Sequence, residues 1–112
     1  MALTPAVFDD SSSPSTGITN VTGYIINGIA ILHINSASVT SGVVGTLPSI
    51  YKPKTPVNAF ARMTVSGKYE ASMITVDTDG KLYGTTFIPN TGTRDVTPTG
   101  GGLYGEIVYE IA

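Results

Sequence analysis

The stretch Val21–Asn35, VTGYIINGIAILHIN, constrains the fold more than any other part of the chain. Two β-rich runs meet at Asn27-Gly28, and Asn-Gly is the preferred pair for a two-residue hairpin because both positions need positive φ. In the second run Ile29, Ile31 and His33 share one face, and Ala30, Leu32 and Ile34 share the other. A strand apolar on both faces needs cover on both sides. The rest of the chain repeats the theme. Runs of Val, Ile, Thr and Tyr at 58–65, 69–76, 81–88 and 103–111 are broken by Ser66-Gly67, by Asp77-Thr78-Asp79-Gly80 and by a long loop, PNTGTRDVTPTGGG. Leu103, Gly105, Ile107, Tyr109 and Ile111 share a face of the last run, which is expected to be a central strand. Thirteen glycines and seven prolines argue against helix. The expected fold is all-β: a small antiparallel β-sandwich or barrel of about six to eight strands.

Residues 1–20 read as an N-terminal tether or linker, and 21–112 as a single β-sandwich domain. DDSSSPSTG is polar, rich in serine and broken by Pro14. Between strands lies VVGTLPSIYKPKTPVNAFARM, in which Pro48, Pro53 and Pro56 fall within nine residues. Proline fixes φ and removes a backbone donor, so this arm cannot be a regular central strand. It is expected to run extended over a sheet edge or between subunits, with Tyr51 as its anchor.

Charged residues make up 12% of the 112 residues, against about 25% in an ordinary domain. Such thin charged cover points both to Ser, Thr, Asn and Gly solvating the surface and to surface hidden against other copies of the chain. Tyr51, Pro53, His33 and Ile31 are the candidate interface residues. The net charge of −2 includes no basic stripe, so nucleic acid is not an expected partner. No apolar run reaches the ~18 residues of a membrane span, and the start lacks a signal-peptide pattern, which suggests synthesis in a cytosol. Cysteine is absent.

No catalytic residue, cofactor or metal site is expected. Asp77-Thr78-Asp79-Gly80 echoes a calcium loop, but Ile88 stands where the closing glutamate belongs, so the stretch reads as a turn. Among the acids, Glu106 and Glu110 share a face of the last strand and read as solvent-facing. TGGG is followed by no helix pattern and cradles no phosphate. The loop with Arg94 and Asp95 is a better candidate, because Tyr83 and Tyr104 lie near it in sequence. Sugar hydroxyls take planar hydrogen-bonding groups, and their C–H faces take aromatic rings.

The order of these pieces resembles a known family. Leu47-Pro48, Tyr51-Lys52-Pro53, the strand Val57–Val65, the hairpin Ile74–Leu82 with Gly80, and Gly102–Tyr109 follow one another as in the C-terminal head domains of receptor-binding proteins from the baseplates and tail fibres of phages of Gram-positive bacteria, the lactococcal type above all. The resemblance covers roughly residues 21–112. It implies a homotrimer in a virion tail or baseplate, made in the host cytoplasm. It implies as partners other tail proteins and a host polysaccharide or teichoic acid, with no enzymatic activity. In that family a histidine and an aspartate precede the glycine turn; Met73 and Thr75 stand there in this chain. Tryptophan is absent, Tyr83 replaces it in part, and Arg94 corresponds to the family's loop arginine. The residues therefore leave two readings open: a saccharide-binding head using Arg94, Asp95, Tyr83, Tyr104 and Thr75, or a structural virion part of the same fold without a sugar. An accessory module of a cell-wall enzyme is a more distant third.

Overall fold

The computed structural model describes residues 11–87, 94–95, 98 and 101–112. It is all-β and antiparallel. The strands are β1 (Ser11–Ser12), β2 (Val21–Ile26), β3 (Ile29–Ser38), β4 (Val43–Thr46), β5 (Val57–Val65), β6 (Lys68–Val76), β7 (Lys81–Phe87), β8 (Arg94–Asp95) and β9 (Gly102–Glu110). They form one sheet in the order β1-β2-β3-β9-β5-β6-β7-β4, with β8 added to β7. The sheet curls on itself as a half-barrel, so of the two expected architectures the barrel is the closer description. The last strand is central, between β3 and β5.

The hairpins follow from local chemistry. Asn27 and Gly28 have φ of 50° and 79°, and Ser66 and Gly67 have 51° and 76°. Both pairs are the all-positive turn whose twist matches the strands it joins. The acidic stretch after β6 is a turn too: Gly80 N–H donates to the Asp77 carbonyl at 2.8 Å, and the Asp79 carboxylate accepts from Lys81 N–H at 2.9 Å.

Alternation decides which face is buried. Ala30, Leu32 and Ile34 of β3, Ile74 and Val76 of β6, Leu82 of β7, and Leu103 and Ile107 of β9 line the concave side and exclude solvent. Ile29, Ile31 and His33 face outward, as the two-faced reading of that strand requires. At Ser36 a bulge shifts the β3–β9 register between Asn35 and Ala37, which adds local twist.

The proline arm has an intramolecular destination. Strand β5 pairs with β9 only from Arg62 to Thr64, near its end, and leaves the rest of that edge of β9 free of β5. The arm takes the vacated edge: Pro53 bridges Ile111, and Ala112 N–H donates to the Lys52 carbonyl at 2.8 Å. A one-turn 3-10 segment, Ser49–Tyr51, drives the Tyr51 ring into the core, where none of it is exposed. Burying such a ring contributes about 3 kcal/mol. Its hydroxyl donates to the Pro14 carbonyl at 2.5 Å, and its own carbonyl accepts from the Tyr109 hydroxyl at 2.6 Å. The arm thus closes an edge that would otherwise invite pairing.

Residues 1–10 of the segment read as a tether lie outside the described residues. Ser11–Ser12 pair with Ile25 and Ile26, the Ser13 hydroxyl donates to the Gly23 carbonyl at 2.6 Å, and buried Thr16 donates to the Val21 carbonyl at 2.6 Å. Ile18 packs against the core beside Gly45 of β4.

Burial raises the Tyr51 phenol above its ordinary value of 10; burial first, and then the neighbouring Tyr51, raise that of Tyr109. A phenol that holds its proton more tightly when folded stabilises the fold fully below the unfolded value, and this stability is lost as pH rises past it. Unfolding free energy is therefore expected to fall as pH rises above 10, and urea melts across that range check it. Tyr109→Phe should lose about 1 kcal/mol at neutral pH, from the missing hydrogen bond, and show a shallower alkaline decline.

Candidate functional site

The convex face of the sheet carries the candidate site, because the concave face is filled by the core. On β5, alternation turns Asn58, Phe60 and Arg62 outward, all exposed. On β6 and β7 it turns Thr75 and Tyr83 outward as direct cross-strand partners, both half-buried. The Thr75 hydroxyl donates to the Asn58 side-chain carbonyl at 2.7 Å. The Lys81 ammonium lies 6.0 Å from the centre of the Tyr83 ring. A row of amide, hydroxyl and phenol thus crosses three strands, a surface able to offer hydrogen bonds and one aromatic face to a polar ligand.

Tyr104 belongs to a second patch. It lies on β9 opposite Arg62, with β5 and β6 between it and Tyr83. Three strand intervals separate the two tyrosines, about 14 Å before any offset along the strands. The Arg62 guanidinium carbon is 4.6 Å from the centre of the Tyr104 ring and 4.4 Å from that of Tyr69 on β6. Strand β5 runs between β9 and β6, so the two rings reach Arg62 from opposite sides. The backbone of Arg94 and Asp95 pairs with Phe87 and Thr86, at the far end of β7 from Tyr83. The Arg94 side chain lies outside the described residues. Among the described side chains expected at one saccharide site, Thr75 and Tyr83 stand side by side, and Tyr104 stands apart from them.

Sequence reasoning missed Asn58, Arg62 and Tyr69. The signal for the first two was present, since alternation in VNAFARMTV places Asn58, Phe60 and Arg62 on one face.

The four candidate interface residues also divide. Tyr51 and Pro53 are buried within their own chain. His33 is exposed, with Nδ1 3.4 Å from the Glu106 carboxylate. Ile31 is the middle of a cross-strand row, Tyr24–Ile31–Val108, on the outer face of β2, β3 and β9. Tyr24 is 40% exposed and Val108 57%. The exposed pairs His33–Glu106 and Lys54–Glu110, the latter at 2.8 Å, flank this apolar row.

Two clefts follow seams of the N-terminal segment, one along Ser13–Gly23 and one between Gly17–Asn20 and Val44–Thr46. Their lining mixes Ser and Thr residues with Pro14, Ile18, Val21 and Val44, and neither includes a residue of the outer-face patches. No cluster of three or more potential metal ligands occurs among the described residues.

No protein-family model and no curated protein sequence matches this chain. Among solved structures it is similar to the head domain of lactococcal phage bIL170, whose crystal structure bears on whether the receptor-binding domains of lactococcal phages share a common fold. The TM-score is 0.59 at 15% sequence identity, and the match covers 92% of this chain and all of the other. At that identity the likeness is one of fold, and the chain has the fold of a lactococcal phage receptor-binding head.

Proposed function

We propose that this chain is a receptor-binding head of a phage tail or baseplate, attaching to saccharides on the surface of a Gram-positive bacterium without catalysing a reaction. The observation that carries this reading is the likeness to the bIL170 head, which spans nearly all of one chain and the whole of the other. The outer face supports it. Asn58, Thr75 and Tyr83 present hydrogen-bonding groups beside an aromatic ring, as a shallow glycan site needs. Its neighbours in the virion are other tail proteins, and its ligand is a wall polysaccharide or teichoic acid.

The head works as a homotrimer. The apolar row Tyr24–Ile31–Val108, flanked by ion pairs, has the layout of an interface with a dry centre and a charged rim. Three copies would multiply a weak single-site affinity into firm attachment.

A structural virion part of the same fold is the second reading. One observation favours it: Tyr104 and the Arg94–Asp95 backbone lie away from the Thr75–Tyr83 pair.

The test is retention of the fluorescently labelled chain on Gram-positive cells of a candidate host. Retention that disappears when the wall polysaccharide is stripped supports the receptor reading. Equal signal on stripped cells, or none across a panel of hosts, supports the structural one.

A further inference from the structure

The stack at Arg62 is a feature that the expected saccharide site does not absorb. Arg62 sits on the outer face of β5, exposed, with Tyr104 on one neighbouring strand and Tyr69 on the other. The two rings attract the cation and fix where it stands. They also leave its N–H groups uncommitted, since no carboxylate lies within ion-pair distance of it among the described residues. Glu106 shares this face, two residues from Tyr104 on β9, and its carboxylate is directed to His33. A guanidinium presents five donors in a planar fork that matches the two oxygens of a phosphate or carboxylate. Here it is held in place before any ligand arrives, so less side-chain freedom is lost on binding. Phe60, two residues along the same face, is 83% exposed, the most of any large apolar side chain described. A cation with free donors beside bare aromatic rings fits a ligand that joins an anionic oxygen pair to a C–H surface.

We propose that Arg62, framed by Tyr69 and Tyr104, is an oxyanion subsite that takes a phosphate or carboxylate group carried on a polyol or sugar. The subsite deepens the receptor reading and rests on it for the nature of the ligand. It is separate from the Asn58–Thr75–Tyr83 row, which offers neutral hydrogen bonds. Arg62 selects the charged substituent, Phe60 and Tyr69 offer ring faces to the carbon skeleton, and the glycan recognised is an anionic one.

The test is an NMR titration of the whole chain with glycerol 3-phosphate and with glucuronate, using glycerol and glucose as neutral counterparts. Single-site affinities near the millimolar range, about −4 kcal/mol, are within reach of this method. The anionic probes are expected to move the Arg62 Nε–H and the Tyr69 and Tyr104 ring signals, and the neutral ones to leave them in place. A response to glycerol 3-phosphate alone assigns the subsite to phosphodiester polymers. A response to glucuronate alone assigns it to uronic acids. Arg62→Gln, with its amide spectrum otherwise unchanged, should weaken the response at least about tenfold, the loss of one charge-assisted hydrogen-bonded pair. Equal shifts from the neutral probes, no shift from either anion, or an undiminished response in Arg62→Gln overturns the proposal. Cell retention separates it from the receptor reading. If wild type and Arg62→Gln are retained equally, the receptor reading stands and the subsite falls. If the anions act through Arg62 but no cell retains the chain, the subsite stands and the receptor reading falls.

Discussion

Gly23→Ala is expected to lower the unfolding free energy by roughly 3 kcal/mol, and the melting temperature by about 10 °C or more. Gly23 lies on the inner face of β2, opposite Leu32. A Cβ there would stand 2.2 Å from the Tyr51 hydroxyl oxygen and 2.5 Å and 2.7 Å from two ring carbons. A surface tyrosine would swing away from such an intrusion. Tyr51 cannot, because it is fully buried, the arm behind it is pinned by the Pro53–Ile111 bridge, and its hydroxyl is tied to the Pro14 carbonyl. The ring must leave its seat, or β2 must move off the core. Thermal unfolding followed by circular dichroism measures the loss. Tyr51→Ala should itself cost roughly 3–5 kcal/mol, the usual range for an emptied aromatic site. In that background Gly23→Ala should cost under about 1 kcal/mol, since the ring it strikes is gone. Fully additive losses would mean that the two residues do not touch.

Gly101→Ala is expected to cost at least about 2 kcal/mol and to disturb the outer face as well. Gly101 has φ of 82°, a conformation that costs an L-residue about 1–2 kcal/mol. A Cβ would also lie 2.1 Å from the Thr64 carbonyl oxygen. That atom is backbone, so relief requires β5 and β9 to part at their narrow contact, Arg62 to Thr64 against Gly102 to Tyr104. The same contact sets Tyr104 opposite Arg62. The variant should therefore melt earlier and also lose the ring-current shifts on the Arg62 side chain, a paired readout by calorimetry and NMR. A drop in stability with those shifts intact would separate Gly101 from the stack.

Much of the fold was legible because it is written in local periods. The alternation Leu103, Gly105, Ile107, Tyr109 gave the buried face of β9, and the Asn27-Gly28 and Ser66-Gly67 pairs gave two hairpins. Non-local pairing was not legible. Nothing near Pro53 in sequence announces Ile111 as its neighbour, so the arm could be read as covering an edge but not which one. The expectation for Tyr51 was half local: three prolines imply a stiff anchor, while the vacancy at Gly23 that receives it lies in another hairpin.

The site suffered from the same gap. Tyr83, Arg94, Asp95 and Tyr104 were grouped because they are close in sequence. Sheet order separates Tyr104 from Tyr83 by two strands and sets it beside Arg62. Thr75 is a candidate only through the family resemblance; that it is the cross-strand partner of Tyr83 follows from the one tight turn that joins their strands. Arg62 and Tyr104 are 42 positions apart, and only the pairing of β5 with β9 unites them.

The central claim, an assembled head that holds a surface glycan, is tested most directly by the mass of the chain in solution, measured by light scattering with and without purified host wall polysaccharide. The account predicts three times the 11.6 kDa chain mass alone, and a larger mass once polysaccharide is added. A mass of one chain, unchanged by any wall polysaccharide, would contradict it.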